Sequence, residues 1–390
     1  MDTELFLQML QIDSTSGKEG ELSAFLAERL LTPKCRVERF PVESMTGDCP
    51  DGHPLPENLL FSWGTPKVLF CTHLDTVPPY ISPSLHPISL EADRGCNGTT
   101  AINGRGTCDA KGQIFAMYSA CLELERQGCT GFGLLLLAGE ETGSHGAKAF
   151  NKVSSATGAR SYKPDEIWLI VGEPTDNCMA SAAKGTKSFE VEFTGEAFHS
   201  GYPEHGRSAV MMFNDFVNAL RSIRFPYDEI LGETTWNIGR LSSGNPQNIL
   251  SDRLTCRIYF RTTFETDEMV CNVMKNIAGV KARLRFGRPR VQDGSDIVAK
   301  EVADWQKYMK VTAYGGDDPT RFEVFEGFPS KPVAFGSDAP QLKAFGHKIL
   351  CGPGSILVAH RDDEHITLHD IETAVRNYIN IYKKLGMRKL

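Results

Sequence analysis

Short apolar runs alternate with stretches of helical length over the first 180 residues of the chain. Residues 67–72 (KVLFCT), 134–138 and 167–171 are short and strongly apolar, which is typical of buried strands. Residues 112–126 and 143–152 lie between them and have the length and spacing of helices. This alternation predicts an α/β domain, in which a mostly parallel sheet is flanked by helices.

Helical periodicity also marks both ends of the chain. Residues 5–10 carry apolar side chains at helical spacing, and residues 21–31 and 371–385 are amphipathic. Each segment therefore predicts a helix that packs one apolar face against the domain.

The pattern changes near residue 181. Residues 188–194 (SFEVEFT) alternate apolar and polar positions, as a strand with one solvated face does. Apolar strands return at 331–335 and 348–351. We therefore predict a main domain formed by residues 1–180 and 294–390, with an α+β module inserted at 181–293. The module's patterns predict helices at 207–223 and 267–277, and strands at 235–241, 254–262 and 280–286.

The composition is that of an ordinary folded protein, with 41% hydrophobic and 23% charged residues. A net charge of -7 without any Lys/Arg cluster argues against binding to nucleic acid or to an anionic membrane. No apolar run approaches the roughly 20 residues that span a bilayer. The first residues include Asp2 and Glu4 and do not resemble a signal peptide, so a cytoplasmic location is expected. Eleven cysteines without a CxxC pair indicate reduced thiols.

Two candidate metal ligands follow the first apolar run and the loop after it. His73 and Asp75 are separated by one residue and point the same way on an extended chain, so Asp75 would orient the ring while the other nitrogen binds a metal. An HxD pair by itself is more often a surface pair. Asp109 lies in the glycine-rich loop GRGTCDAKG, where a helix N-cap is the simpler interpretation.

Further candidates follow the next apolar runs. Glu140 and Glu141 come directly after residues 134–139, and Glu173 comes directly after the third run. In open α/β sheets, ligands bind at the carboxyl ends of the strands, so these glutamates would lie beside His73. Adjacent residues point apart, so one of the paired glutamates can ligate while the other faces a substrate. His360 follows a glycine-rich turn and would reach the same edge from the far side of the sheet.

Two histidines and three carboxylates exceed the three protein ligands of a single catalytic zinc. Two metals about 3.5 to 4 Å apart, bridged by a carboxylate and a water, would use all five. The mixed nitrogen and oxygen set fits zinc, with cobalt or manganese as alternatives. The predicted ligands of a two-zinc site are His73, Asp109, Glu141, Glu173 and His360.

These residues stand within six longer segments: THLDTVPP (72–79), GRGTCDAKG (104–112), GEETGSHGA (139–147), VGEPT (171–175), FHSGYPEHGRSAV (198–210) and GPGSILVAHRDDEHI (352–366). Together they resemble the di-metal hydrolases that include acetylornithine deacetylase, succinyl-diaminopimelate desuccinylase, aminoacylase and carboxypeptidase G. The segments occur in the family's order across nearly the whole chain and are highly specific as a set. The last segment and FGSDAPQL look closest to the acetylornithine deacetylase branch.

The resemblance implies how the ligands divide between two zinc ions. It places His73 and Glu173 on one metal, Glu141 and His360 on the other, and Asp109 between both.

The resemblance also implies roles for two residues that do not bind metal. Asp75 orients His73, and Glu140 is the general base that takes a proton from the metal-bridging water and passes it to the leaving amine. Metal binding lowers the pKa of that water towards about 7. Two departures from the family stand out: Cys108 beside the bridging aspartate, which raises the prospect of oxidation or inhibitory metal binding, and a long segment at 80–101.

The inserted module is implied to cover the active site and to mediate dimerisation, so a homodimer is expected. His199 matches a histidine that stabilises the oxyanion in the partner's active site; a hydrogen-bonded surface histidine is the alternative. Asn248 and Arg261 match substrate-binding positions, and an arginine suits a carboxylate.

The leading hypothesis is hydrolysis of the amide bond of a small N-acyl amino acid, as acetylornithine deacetylase performs in arginine biosynthesis. A cytosolic di- or tripeptidase or carboxypeptidase, and a succinyl-diaminopimelate desuccinylase, are alternatives that use the same metals on other substrates. A catalytically inactive binding protein is disfavoured because Glu140 and all five candidate ligands are present. A dinucleotide-binding oxidoreductase is excluded because no GxGxxG follows the first strand.

Overall fold

The computed structural model describes residues 1–87, 100–155, 163–277, 291–292, 295–296 and 305–386. The helices are α1 (Thr3–Gln11), α2 (Glu19–Arg29), α3 (Lys111–Arg126), α4 (His145–Ser155), α5 (Ala209–Arg221), α6 (Asp267–Lys275) and α7 (Leu368–Gly386). Among the described residues, none of the helices combines the length and the apolar character that a membrane crossing requires.

The strands, in chain order, are β1 (Arg36–Pro41), β2 (Glu57–Trp63), β3 (Val68–His73), β4 (Ser84–Pro87), β5 (Thr100–Asn103), β6 (Phe132–Leu137), β7 (Trp168–Val171), β8 (Met179–Ala183), β9 (Gly185–Thr194), β10 (Thr235–Ser242), β11 (Arg253–Thr262), β12 (Val291–Gln292), β13 (Ser295–Asp296), β14 (Met309–Gly315), β15 (Thr320–Arg321), β16 (Ser330–Val333), β17 (His347–Leu350) and β18 (His365–Thr367). The strand predicted at 280–286 and most of the long segment at 80–101 lie outside the described residues.

The chain divides into two compact units. The first consists of Met1–Ser181, Arg321–Val333 and Ser337–Leu390, and the second of Ala182–Thr320 and Ala334–Gly336. The first domain is predicted to resume at residue 294, but β14 pairs with β9 and lies in the second unit. The segment MKVTAYG alternates apolar and polar residues, as a half-solvated strand of that sheet requires. The lid and dimerisation roles of this unit stay predictions.

A six-stranded sheet in the order β1-β2-β6-β3-β7-β17 forms the centre of the first unit. β6, β3, β7 and β17 run parallel, and β2 is antiparallel to β6. The three apolar runs of the sequence form β3, β6 and β7, and all the side chains of these strands are buried. A strand buried on both faces needs apolar side chains on both, which is why the runs do not alternate.

Helices flank this sheet. α3 packs on β3 and β6 and also contacts α1 and α7, whereas α2 and α4 pack on β2. The ring of Phe6 in α1 stacks on Phe115 in α3 with 4.9 Å between centroids. The predicted mainly parallel α/β fold is therefore confirmed, and the carboxyl ends of β3, β6 and β7 lie along one edge of the sheet. β1 and β2 were not predicted.

The second unit is built on an antiparallel sheet in the order β10-β11-β9-β14. α5 and α6 pack on β9 and β11. On β9 the side chains of Phe189, Val191 and Phe193 are buried, and the residues between them are partly exposed. The predicted alternation is thus confirmed, and this unit is a separate α+β fold.

Two buried carboxylates anchor the loop that follows β6. Glu19 accepts a hydrogen bond from the backbone N–H of Gly139 at 3.1 Å. The two carboxylate oxygens of Asp75 accept from the N–H groups of Glu140 at 2.9 Å and Glu141 at 3.0 Å. Three consecutive backbone donors are therefore fixed by fully buried side chains. Burial, and then the nearby Asp75, raise the pKa of Glu19 to about 8.

We predict that the wild-type protein loses stability relative to Glu19→Gln as the pH rises from about 5 to 8. The unfolded chain releases this proton near the ordinary pKa of 4.5, whereas the folded chain keeps it up to about 8. Over this interval the unfolded state binds fewer protons, so the free energy of unfolding falls with rising pH. Urea unfolding curves across the interval measure the difference.

The exposed Glu21, on the same helix, provides the control Glu21→Gln, which should follow the wild-type pH dependence. A constant difference in stability between wild type and Glu19→Gln over the whole interval would contradict a raised pKa for Glu19.

Candidate metal centre

His73 and Asp109 meet at the carboxyl edge of the first unit's sheet. His73 is the last residue of β3, and its Nε2 lies 2.9 Å from Oδ1 of Asp109. Both side chains are almost completely buried, at 2% and 6% exposure. The N-cap position of α3 is taken by Ala110, so Asp109 is not the cap of that helix. The simpler interpretation of the glycine-rich loop is therefore wrong.

His360 contacts the other carboxylate oxygen of Asp109. Its Nε2 lies 3.2 Å from Oδ2 of Asp109 and 2.9 Å from Oε1 of Glu141. The residue has a positive φ of 64°, which is uncommon for a residue other than glycine and fits a side chain held in place by its surroundings. Asp109 thus presents one oxygen to each of the two histidines, the arrangement that a bridging carboxylate needs.

The candidate ligand atoms fall into groups in which all atoms lie within 4.8 Å of one another. Asp109 is shared by two groups, which between them contain every predicted ligand. A third group adds Glu140, whose carboxylate lies close to the ligand atoms of its neighbours. Adjacent nitrogen and oxygen donors that share one carboxylate fit two metal ions of the zinc type. The groups are His73, Asp109, Glu173; Asp109, Glu141, His360; and His73, Glu140, Glu141.

Burial controls the ionisation of the glutamates in this cluster. It raises the pKa of Glu140 and of Glu173 well above the ordinary value, and nearby carboxylates add to the effect. Burial also raises the pKa of Glu141, partly offset by the hydrogen bond to His360. These glutamates therefore lie where negative charge is costly.

The two histidines and Asp109 stabilise one another as ions. Burial lowers the pKa of His73, but its contacts with Asp109 and Asp75 outweigh this and hold it well above the ordinary value. Hydrogen bonds to Asp109 and Glu141 raise the pKa of His360 to about 10. Burial of Asp109 opposes ionisation, yet the hydrogen bonds from His360 and His73 hold its pKa below the ordinary value.

Charge balance tests whether metals fit this cluster. The four carboxylates of the three ligand groups carry four negative charges when ionised, and two imidazolium rings supply only two positive charges. Two divalent cations supply four, and they leave the histidines neutral, as nitrogen ligands must be. The donor set and the balance of charge both fit a pair of divalent metals.

The second nitrogen of His73 is held from behind by Asp75. Nδ1 lies 2.9 Å from the backbone oxygen of Asp75 and 3.4 Å from its carboxylate. The backbone carbonyl is therefore the closer partner of the ring, while the carboxylate mainly fixes the backbone of Glu140 and Glu141. With Nδ1–H donated to the carbonyl, Nε2 faces Asp109 as a ligand atom.

His199 and Asn248 lie on adjacent backbone segments of the second unit. The N–H of Ser200 donates to the backbone oxygen of Asn248 at 2.9 Å, and His199 pairs with Ile249 in an isolated β-bridge. Nδ1 of the exposed His199 accepts a hydrogen bond from the N–H of Gly201 at 3.1 Å. A ring nitrogen that accepts carries no proton, so the neutral ring has its proton on Nε2.

Arg261 lies elsewhere in this unit, on β11. Its guanidinium is 5.0 Å from the ring of Tyr259, two residues away on the same strand. Among the described residues, no hydrogen bond joins Arg261 to His199 or Asn248. The substrate-binding roles of Arg261 and Asn248 stay predictions.

Three features near the site could not be read from residue types. Glu19 and Glu364 are buried carboxylates that accept backbone N–H groups of the ligand loops. Glu364 stands in the polar run HRDDEHI, where it looks no different from the exposed Asp363. Cys108 is fully buried, and burial, followed by the nearby Glu364, raises the pKa of its thiol well above the ordinary value, which disfavours the thiolate.

Comparison with known proteins places the chain among peptidases. The model of peptidase family M20/M25/M40 matches residues 69–384. A probable carboxypeptidase from Aspergillus niger is 33% identical over 394 residues, which cover 95% of this chain and 86% of that protein. The closeness to acetylornithine deacetylase expected from the sequence finds no support in such relatives, which are named as carboxypeptidases.

Two solved structures share the fold along nearly the whole chain. A tripeptidase from Staphylococcus aureus has a TM-score of 0.74 at 18% identity and covers 99% of this chain and 98% of its own. A dinuclear metal-binding peptidase of the M20 family from Bacillus subtilis has a TM-score of 0.62 at 10% identity, with 97% and 96% covered. With the family model matching most of the chain, this protein belongs to peptidase family M20/M25/M40 and is a hydrolase of the metallopeptidase class.

Proposed function

We propose that this protein is a two-metal hydrolase of the carboxypeptidase type, which cleaves the amide bond next to the free C-terminal carboxylate of a short peptide. The observation that carries the proposal is the pair of ligand groups that share Asp109. The choice of a carboxypeptidase follows the full-length similarity to relatives of that name.

The proposed division of ligands follows the contacts of Asp109. His73 and Glu173 would hold one metal and Glu141 and His360 the other, with Asp109 between both, because each of its oxygens faces one histidine. When bound, a pair of zinc ions supplies Lewis-acid chemistry, which polarises the scissile carbonyl and makes a water nucleophilic at neutral pH. Cobalt would serve the same donor set.

Glu140 is the proposed general base. Its carboxylate lies within 4.8 Å of ligand atoms of His73 and Glu141, and its backbone is fixed by Asp75. It would accept a proton from the attacking water and deliver it to the nitrogen of the leaving amine. Burial raises its pKa, which helps the carboxyl group to hold that proton between the two transfers.

The second unit supplies the proposed contacts to the substrate. His199 would donate Nε2–H to the oxyanion that forms at the attacked carbonyl, in the active site of a partner subunit if the expected homodimer forms. Its Nδ1 contact with Gly201 selects the ring form that can donate in this way. Arg261 would bind the C-terminal carboxylate, and Asn248 would provide a further polar contact.

Deacylation of N-acetylornithine is the second candidate. An N-acyl amino acid has the same amide bond next to a free carboxylate as the end of a peptide, so the same machinery serves both. GPGSILVAHRDDEHI and FGSDAPQL favour this candidate. Deacylation of N-acetylornithine would connect the protein to arginine biosynthesis.

The cytoplasmic location stays a prediction.

Metal content and substrate choice test the proposal together. We expect two zinc ions per chain, and loss of hydrolysis when a chelator removes them. A dipeptide or tripeptide with a free carboxyl end should be cleaved, and its C-terminally amidated form should not. Cleavage of N-acetylornithine alone would favour the second candidate, and a protein that binds no metal under reconstituting conditions would exclude both.

Replacing Glu140 tests the general base. Glu140→Gln removes the proton acceptor and retains the shape of the side chain, so kcat should fall by a factor of about 100 to 10,000. Zinc content should stay at the wild-type value, because Glu140 is not a proposed ligand. The exposed Glu372 on α7 gives the control Glu372→Gln, which should be fully active. Substantial activity in Glu140→Gln would rule out the assignment.

Replacing His199 tests the oxyanion contact. His199→Ala removes one donor, so kcat should fall by a factor of about 100 to 1000 while both metals stay bound. His205 lies in the same segment and is also exposed, so His205→Ala is the matched control and should retain activity. Equal activities for the two variants would leave His199 as an ordinary surface histidine.

A further inference from the structure

A buried ion pair lies beside the candidate metal centre and contributes no ligand to it. Oε2 of Glu364 accepts from Nη1 of Arg105 at 2.7 Å, and the side chains are 0% and 1% exposed. Removing two charges from water is costly, and a pair of this kind persists only when further hydrogen bonds satisfy both groups. The other hydrogen-bond partners of Arg105 and Glu364 therefore show which segments of the chain the ion pair fixes.

The other oxygen of Glu364 holds the backbone of the proposed bridging ligand. Oε1 accepts the N–H groups of Cys108 and Asp109, each at 3.2 Å. Both donors belong to the glycine-rich loop that precedes α3. A hydrogen bond to the ligand's own backbone N–H restricts where its carboxylate can lie.

Arg105 extends the same network to two other loops. Its Nη1 also donates to the backbone oxygen of Arg361, the residue after His360, at 3.0 Å. Its Nε donates to the backbone oxygen of Pro79, in the segment that follows His73, at 3.2 Å. One guanidinium thus connects the loops that carry three of the five proposed ligands.

Backbone pairing supports the network on both sides of the ion pair. The N–H of Gly104 donates to the backbone oxygen of Glu364 at 3.0 Å, and β18 then pairs antiparallel with β5 from His365 and Asn103 onward. The small sheet β18-β5-β4 therefore holds the two segments together next to the contact between Arg105 and Glu364.

We propose that Glu364 and Arg105 are positioning residues, which set the separation of Asp109 and His360 that two metals require. The inference rests on the proposed function, because it assumes that these residues are ligands. Its physical basis is preorganisation: ligands held in place by charged hydrogen bonds bind metal without paying to order the loops. The neighbouring Asp363 pairs with Arg361 at the surface and has no such contacts among those described.

Zinc affinity tests the proposal without reference to catalysis. Purified full-length protein is freed of metal and titrated with zinc against a competing chelator. Loss of a residue that supports a metal ligand typically weakens binding by a factor of about 10 to 100, so Glu364→Gln should lose affinity to that extent. Asp363→Asn, in the same loop, is the control and should bind zinc as the wild type does.

The melting temperatures of the metal-free proteins separate positioning from a general structural role. A purely structural role would lower the melting temperature of the metal-free protein and leave the zinc affinity unchanged, because the affinity compares the metal-free and metal-bound forms of the folded protein. If Glu364→Gln does not fold, Arg105→Lys decides: it keeps the charge but lacks the planar fork, and it should lose about tenfold in zinc affinity.

Wild-type affinity in the folded variants would overturn the positioning role and leave the proposed function intact. A wild-type protein that binds no zinc would overturn the proposed function itself, and the inference with it.

Discussion

Repulsion among buried carboxylates is the constraint on which the rest of the first unit depends. The loop before α3 and the segments after β6 and β7 bring Asp109, Glu140, Glu141 and Glu173 together in a region of low exposure. Burial raises the pKa values of Glu140 and Glu173, and repulsion from the neighbouring carboxylates raises them further. Protonation or compensating positive charge relieves this cost, and two divalent cations would balance the four carboxylate charges.

The protein restrains this cluster through the backbone as well as through the ligands. Glu19 and Asp75 accept the N–H groups of residues 139–141, and Glu364 accepts those of Cys108 and Asp109. The same device, a buried carboxylate that accepts consecutive backbone donors, therefore appears on two ligand loops. Loops are ordinarily the most mobile parts of a domain, and such contacts give them the rigidity that a metal site needs.

Substrate recognition is a separate problem, and the contacts proposed for the second unit involve different chemistry. Its proposed contacts are single hydrogen-bond donors and one cation, on loops and on β11, rather than a buried cluster. Contacts of this kind would select among amide substrates that carry a free carboxylate, and none of the residues involved is a proposed metal ligand.

The sequence by itself determined the parallel strands β3, β6 and β7 and the sheet edge at which His73, Glu141 and Glu173 lie, because fully apolar runs mark strands buried on both faces and their carboxyl ends share one edge. It did not show β1, which is largely exposed, or β2, which is buried. Nor did it show β14, whose half-exposed strand pairs with β9 more than 100 residues earlier in the chain. Only the tertiary structure showed that Asp109 faces two histidines and that Glu364 is buried while Asp363 is exposed. Residue type fixes what a side chain can do, but burial and contact depend on segments more than 200 residues apart.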